Sequence, residues 1–226
     1  MSLAGKSCIV TGGAGALGSA VCKTLIAAGA KVMALDHAAM PAEQPGIGNV
    51  DLSDPMKAAA AIDKAVSEMG SLFALVNIAG GFRFEKLAGG NVDTWDFLYN
   101  VNLKTAVCAC QAALPHLVKN KLGRIVNIGA GAAAAKAGAG MGAYAASKAG
   151  VAKLTESLAE EMKMQGITVN AILPSTIDTA ANRRDMPDAD FSKWVKVEEI
   201  GALIAFLLSD SASAITAASI PITGRV

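Results

Sequence analysis

Short runs of aliphatic and β-branched residues alternate along the chain with longer stretches in which apolar side chains recur at helical spacing. The short runs predict strands over residues 7–11, 31–36, 73–77, 124–128, 168–173 and 219–222, with a weaker, shorter candidate at 47–50. The helical pattern covers 17–28, 55–69, 92–120, 144–165 and 197–208. This strand–helix rhythm from end to end is that of an α/β protein with a doubly wound parallel sheet. The strand candidates are apolar without polar alternation, as expected where helices cover both faces of a sheet. No repeat of fixed period and no linker divides the chain, so residues 1–226 are read as a single domain.

Two stretches break the rhythm: a Gly/Ala run over 129–142 and a polar stretch from Asp178 to Trp194. Both follow predicted strands at the carboxyl edge of the sheet, where open α/β sheets bind ligands. The region 178–196 is accordingly read as a lid on the substrate side.

Composition narrows the partner. Of 226 residues 53% are hydrophobic, only 17% are charged, and the net charge is +1. No basic field offers itself to nucleic acid, and a small molecule is the expected partner. No apolar stretch approaches the roughly 20 residues of a membrane-spanning helix. Met1-Ser2-Leu3 runs almost at once into the first strand, without the charged start and cleavage site of a secretory leader. A cytoplasmic location is therefore expected. Cys8, Cys22, Cys108 and Cys110 lack the spacing and companion histidines of a metal site, and are expected to be reduced, buried thiols.

The first strand ends in Thr11-Gly12-Gly13-Ala14-Gly15-Ala16-Leu17-Gly18 and leads into a helix. In that context small residues let the backbone approach a pyrophosphate, and the helix amino end supplies N–H donors. Gly12, Gly15, Ala16, Leu17 and Gly18 are thus candidate cofactor residues. Asp36 closes the second strand 18 residues after Gly18, near the spacing at which a carboxylate meets the ribose hydroxyls. The fold is therefore expected to be of Rossmann type. A carboxylate there repels a 2′-phosphate, and no Arg or Lys stands in the loop or directly after Asp36, so NAD(H) is the expected cofactor. Asp51-Leu52 is read either as a cap over the adenine or as the acidic turn that starts the helix at Pro55.

Tyr144 and Lys148 lie four residues apart at the start of a helix, which places phenol and ammonium on one face. A phenol titrates near 10, and a neighbouring ammonium and an oxidised nicotinamide ring would both favour its phenolate, bringing it toward working pH as a general acid–base.

With these motifs the chain resembles the short-chain dehydrogenase/reductase family over nearly its whole length. The matching residues are the 11–18 loop, Asn77-Ile78-Ala79-Gly80 after the strand at 73–77, Asn100-Val101-Asn102, Tyr144 with Lys148, and the segment from Pro174 to Thr179. The resemblance implies Tyr144 as proton donor, Lys148 as the residue that holds the ribose and tunes Tyr144, and Asn102 as anchor of a water in the proton relay. It places Ala79 and Gly80 against the cofactor, Pro174, Ile177 and Thr179 around the nicotinamide, and Asn77 in the central sheet near the adenosine ribose. It also implies a homodimer or homotetramer built on the helices at 92–120 and 144–165.

Two departures stand out. Ala16 replaces the middle glycine of the loop. Where the family carries a substrate-binding serine this chain has Ala130, or Gly131 under a shifted alignment. Losing a donor to a developing oxyanion typically costs about 10²–10³ in rate. The serine-free stretch 130–136 and the run from Asp178 to Trp194 resemble the dihydropteridine reductase branch, whose conjugated acceptor forms no localised alkoxide. The leading expectation is then an NADH-dependent reductase of quinonoid dihydropteridine or a similar conjugated compound. The alternatives are a carbonyl reductase or alcohol dehydrogenase, for instance on 3-oxoacyl groups, and a weakly active NAD-binding regulator. Ala130, Gly131, Phe82, Asn182 and Arg183 are the candidate substrate residues. Phe82, Trp95, Phe97 and Tyr99 are otherwise read as packing or interface residues, and the lid arginines as solvated.

Overall fold

The computed structural model describes residues 2–134 and 136–226; Met1 and Ala135, the latter within the serine-free stretch, lie outside the described residues. The amino half runs β1 (Ser7–Thr11), α1 (Ala16–Ala27), β2 (Lys31–Leu35), β3 (Gly46–Ile47), α2 (Pro55–Met69), β4 (Ala74–Asn77), α3 (Val92–Leu98) and α4 (Thr105–Lys119). There follow β5 (Gly123–Ile128), α5 (Gly131–Ala134), α6 (Gly142–Met162), β6 (Ile167–Pro174), β7 (Ile177–Asp178), α7 (Ala180–Asp185), β8 (Val195–Lys196), α8 (Val197–Leu208) and β9 (Ser219–Ile222).

Seven strands form one parallel sheet in the order β3-β2-β1-β4-β5-β6-β9. The sheet is covered on both faces, which explains its unbroken apolar strands. Cys8 and Val10 of β1 pack with Val21 and Leu25 of α1 and Ile200 and Ile204 of α8. Ile9, between them, faces the other layer with Ile62 of α2, Leu117 of α4 and Leu158 of α6. The order turns back between β1 and β4, the switch point at which such sheets open a crevice beyond their carboxyl ends. Local signals set the helix bounds. In α2, Asp54 accepts from the Met56 and Lys57 N–H groups, Pro55 opens the first turn, and Gly70 closes the helix at φ +89°.

Three expectations change. The strand expected at 47–50 is only Gly46–Ile47, because Asn49 adopts φ +58° and turns the chain out of the sheet. The helix expected over 92–120 is interrupted by a π-helical turn at Tyr99–Lys104, where Asn102 is drawn inward to the 80–81 turn. The lid region 178–196 contains α7 and a 3₁₀ turn at Phe191–Lys193, and with Ile177 it forms a separate two-stranded parallel sheet, Ile177 opposite Val195 and Asp178 opposite Lys196. The chain's end supports that stretch: the Arg225 N–H donates to the Lys193 carbonyl at 2.9 Å.

The sheet has two edges. One is the two-residue β3; the other is β9, whose Pro221 stands opposite Leu173. Among the described residues no helix is long and apolar enough to cross a membrane, and all four cysteines are buried free thiols.

Candidate active site

A cleft of about 840 Å³ opens at the switch point, running from the glycine-rich loop to the start of α6. Gly12, Gly15, Ala16, Leu17 and Gly18 line one end. The loop is held by contacts that exclude larger residues: a Cβ on Gly18 would stand 2.0 Å from the Gly12 carbonyl oxygen. Thr11 ties this loop to the next, since its Oγ1 accepts from the Ile78 and Ala79 N–H groups at 3.1 and 3.2 Å.

β2 stops at Leu35, one residue sooner than expected, and Asp36 follows it at the cleft wall. Its Oδ2 accepts from the Ala14 N–H at 2.9 Å and its Oδ1 from the Ala38 N–H at 2.8 Å. The carboxylate is thereby fixed against the glycine-rich loop. Asp51 and Leu52 also line the cleft. Asp54 caps α2, while the Ser53 hydroxyl and N–H hold Asp51 and keep its carboxyl below the usual range.

Tyr144, Lys148, Ala79 and Gly80 meet at the other end. Lys148 is 5% exposed, and its Nζ donates to the Ile128 carbonyl oxygen at 2.8 Å. Burial lowers the ammonium pKa to about 8. Burial likewise raises the Tyr144 phenol above its ordinary value. Desolvation disfavours the phenolate, so a cation beside the ring has that cost to offset. The Phe82 ring meets that of Tyr144 edge-on at 5.0 Å and lines the cleft. Pro174, Ile177 and Thr179 form the far wall.

Other expected residues sit behind the wall. Asn102 is 1% exposed, and both its amide N–H donors are committed, to Gly81 O at 3.1 Å and Ser147 Oγ at 3.0 Å. Its Oδ1 accepts from the Gly81 N–H. The amide thus braces the 80–81 turn. Gly80 fits against it: a Cβ there would lie 2.7 Å from Asn102 Oδ1 and 3.3 Å from Lys148 Nζ. Asn77 lies inside the sheet, donating to Asn127 Oδ1 and Cys110 Sγ.

Among the candidate substrate residues only Phe82 lines this cleft. Gly129 is the last of its segment to do so; Ala130 is 5% exposed, and neither it nor Gly131 offers a hydroxyl. Asn182 donates to the Ile177 carbonyl. Arg183 makes a two-pronged bond to Asp178 at 2.6 and 2.7 Å and lies over Phe191, lining a smaller hollow. Phe97, expected as a packing or interface residue, lines the cleft beneath the Arg83 guanidinium, and the sequence did not single out the hydroxyls of Ser147 and Thr155. Only the position of these hydroxyls on the Tyr144 helix hinted at them.

A parallel sheet with a glycine loop at its switch point, an acidic residue after the second strand and a helix-borne Tyr–Lys pair defines a dinucleotide-dependent oxidoreductase. The chain belongs to the short chain dehydrogenase family, whose model matches residues 6–190. It is 34% identical to the 3-oxoacyl-[acyl-carrier-protein] reductase of Pseudomonas aeruginosa over 99% of this chain and 98% of that protein. Among solved structures it superposes on a Mycobacterium ulcerans short-chain type dehydrogenase/reductase at 25% identity, with a TM-score of 0.92 over 100% of this chain and 90% of that one. For the ligand-free Thermoplasma acidophilum aldohexose dehydrogenase the figures are 28% and 0.89, over 98% and 94%.

Proposed function

We propose that the protein is an NAD(H)-dependent oxidoreductase that interconverts a carbonyl and an alcohol, with Tyr144 as its acid–base and 3-oxoacyl-like compounds as the leading substrate class. The observation that carries this reading is the placement of Tyr144 and Lys148 in the same cleft as Asp36 and the glycine-rich loop. Relatives named as acting on 3-oxoacyl groups and aldohexoses support the reaction type.

The residues present fit a dinucleotide. Gly12, Gly15, Ala16, Leu17 and Gly18 would hold its pyrophosphate, Asp51 and Leu52 its adenine end, Ala79 and Gly80 the middle, and Pro174, Ile177 and Thr179 the nicotinamide. Asp36, oriented by two backbone N–H groups, accepts ribose hydroxyls and would confront a 2′-phosphate with a fixed negative charge. When bound, the dinucleotide supplies or accepts the hydride. The Tyr144 hydroxyl gives its proton to the substrate oxygen in reduction and takes it back in oxidation. Lys148, protonated, steadies the phenolate that remains. Asn102 shapes the 80–81 turn on which this geometry rests. The region 178–196 serves as the lid through Thr179 and its neighbours, and α4 and α6 are the surfaces for a homodimer or homotetramer in the cytoplasm.

A second reading rests on one observation: no hydroxyl stands at 130 or 131. Reduction of quinonoid dihydropteridine spreads the developing charge over a ring and has less need of that donor. Both readings are tested by NADH oxidation with a 3-oxoacyl thioester, a simple ketone and quinonoid dihydropteridine. NADH should serve at least about tenfold better than NADPH, and Tyr144→Phe should lose roughly 100-fold or more in kcat. Equal use of both cofactors, or a Tyr144→Phe enzyme within threefold of the parent, contradicts the proposal. Ala130→Ser separates the substrates: it should raise ketone turnover by up to about 10²-fold and leave that of dihydropteridine unchanged.

A further inference from the structure

α6 carries Tyr144 and Lys148, yet its buried face is mostly featureless. Ala143, Ala145, Val151, Leu158 and Ala159 supply little relief to fix the helix along its axis. Two buried hydroxyls break that smoothness, and they are bonded alike. The Ser147 hydroxyl donates back to the Tyr144 carbonyl at 2.8 Å and accepts from Asn102 Nδ2 at 3.0 Å. Eight residues on, about 12 Å along the axis, the Thr155 hydroxyl donates back to the Val151 carbonyl at 2.8 Å and accepts from Asn127 Nδ2 at 2.9 Å.

Each hydroxyl thus spends its proton within α6, which leaves its oxygen to receive an asparagine amide from a neighbouring element. Asn127 belongs to β5 and in turn accepts from Asn77 of β4, so the Thr155 contact reaches two central strands. Asn102 belongs to the π-helical turn and grips the 80–81 loop beside Lys148. Thr155 is wholly buried and Ser147 is 5% exposed, so water does not readily replace either partner. Directional bonds at two heights allow one axial position and one rotation, where contacts among small apolar groups allow several.

We propose that Ser147 and Thr155 are positioning residues, paired hydroxyl–asparagine locks that set where α6 presents Tyr144 and Lys148 over the cleft. The inference rests on the Tyr–Lys chemistry proposed above, because displacements near 1 Å at reacting groups cost about 100-fold in rate. It assigns no bond with substrate or cofactor to either residue.

The test compares Ser147→Ala and Thr155→Val with the hydroxyl-retaining Ser147→Thr and Thr155→Ser. Turnover is read as kcat and as KM for NADH. Ionisation of Tyr144 is read by phenolate absorbance in a Tyr99→Phe background, which leaves Tyr144 as the sole tyrosine of the two in the chain. Each hydroxyl-free variant should lose roughly five- to twentyfold in kcat, keep KM for NADH within about twofold, and shift the phenolate midpoint by about half a pH unit or more. Thr155→Ser should stay within about twofold of the parent on every measure. A contribution to stability alone would lower the unfolding temperature without moving the midpoint, and that outcome overturns the proposal. A parent that turns over no acceptor contradicts the assigned reaction, and the titration still decides the positioning question. Should Thr155→Val not fold, Ser147→Ala and Thr155→Ser decide it by the same readings.

Discussion

Lys148 brings a cation to a place that solvent barely reaches, with a carbonyl as its hydrogen-bond acceptor. Its folded pKa of about 8 lies below the ordinary 10.5. Between those values the unfolded chain binds the extra proton, so the penalty of burying the charge is full below pH 8 and is relieved as pH rises toward 10.5. A Lys148→Met variant never carries that penalty. The stability advantage of the variant over the parent should therefore shrink by about 1 kcal/mol from pH 7 to pH 9, as measured by urea unfolding of cofactor-free protein under reducing conditions. A constant gap would mean that the ammonium is solvated. The buried thiols Cys8, Cys22 and Cys110, raised to about 12, 11 and 12, act in the opposite direction but equally in both proteins. At this scale Tyr144, Lys148 and Asp36 were legible because local spacing sets their geometry. Arg183 was not: whether it faces a substrate or Asp178 depends on how the chain turns between them, and composition does not encode that. The committed amide of Asn102 was equally hidden, since both its partners are distant in sequence.

The glycine-rich loop and α1 form one element in which a missing side chain is the functional feature. Gly18→Ala would drive a methyl to 2.0 Å from the Gly12 carbonyl. The loop must open to admit it, which displaces the backbone that lines this end of the cleft. NADH affinity should fall by at least about tenfold in calorimetric titration, while the circular dichroism of the helices is retained. An unchanged Kd would show that the loop does not bear the pyrophosphate. Elements with strong signals were read almost to the residue, as in β1, α2, α8 and β9, because apolar periodicity, Pro55 and Gly70 mark their ends. The π-helical turn was invisible, because its cause is the pull of Asn102 toward a loop 21 residues away. The pairing of β7 with β8 escaped as well, since two-residue strands have no periodicity to detect.

For the molecule as a whole, a cleft at the switch point makes cofactor binding and folding one equilibrium. Its walls come from β1, β2, β4, β5, β6 and the segments after them, so an unfolded chain presents nothing comparable. NADH at about a hundred times its Kd should add about 2.7 kcal/mol to stability, or roughly 5–10 °C in Tm for a domain of this size. NADPH at the same concentration should add clearly less. Equal shifts in differential scanning fluorimetry would remove Asp36 from the selection of cofactor.

The sheet's outer boundary bears on how such a molecule meets others of its kind. On β9 the carbonyls of Ala218 and Ile222 turn inward to Ala171 and Ser175, so the intervening Pro221 directs its nitrogen outward. That nitrogen carries no hydrogen, and a strand arriving from another chain finds a gap where the ladder would have to continue. At the opposite boundary β3 is too short to register an incoming strand at all. Among the described residues, neither boundary of the seven-stranded sheet thus offers an incoming strand an unbroken ladder on which to extend it.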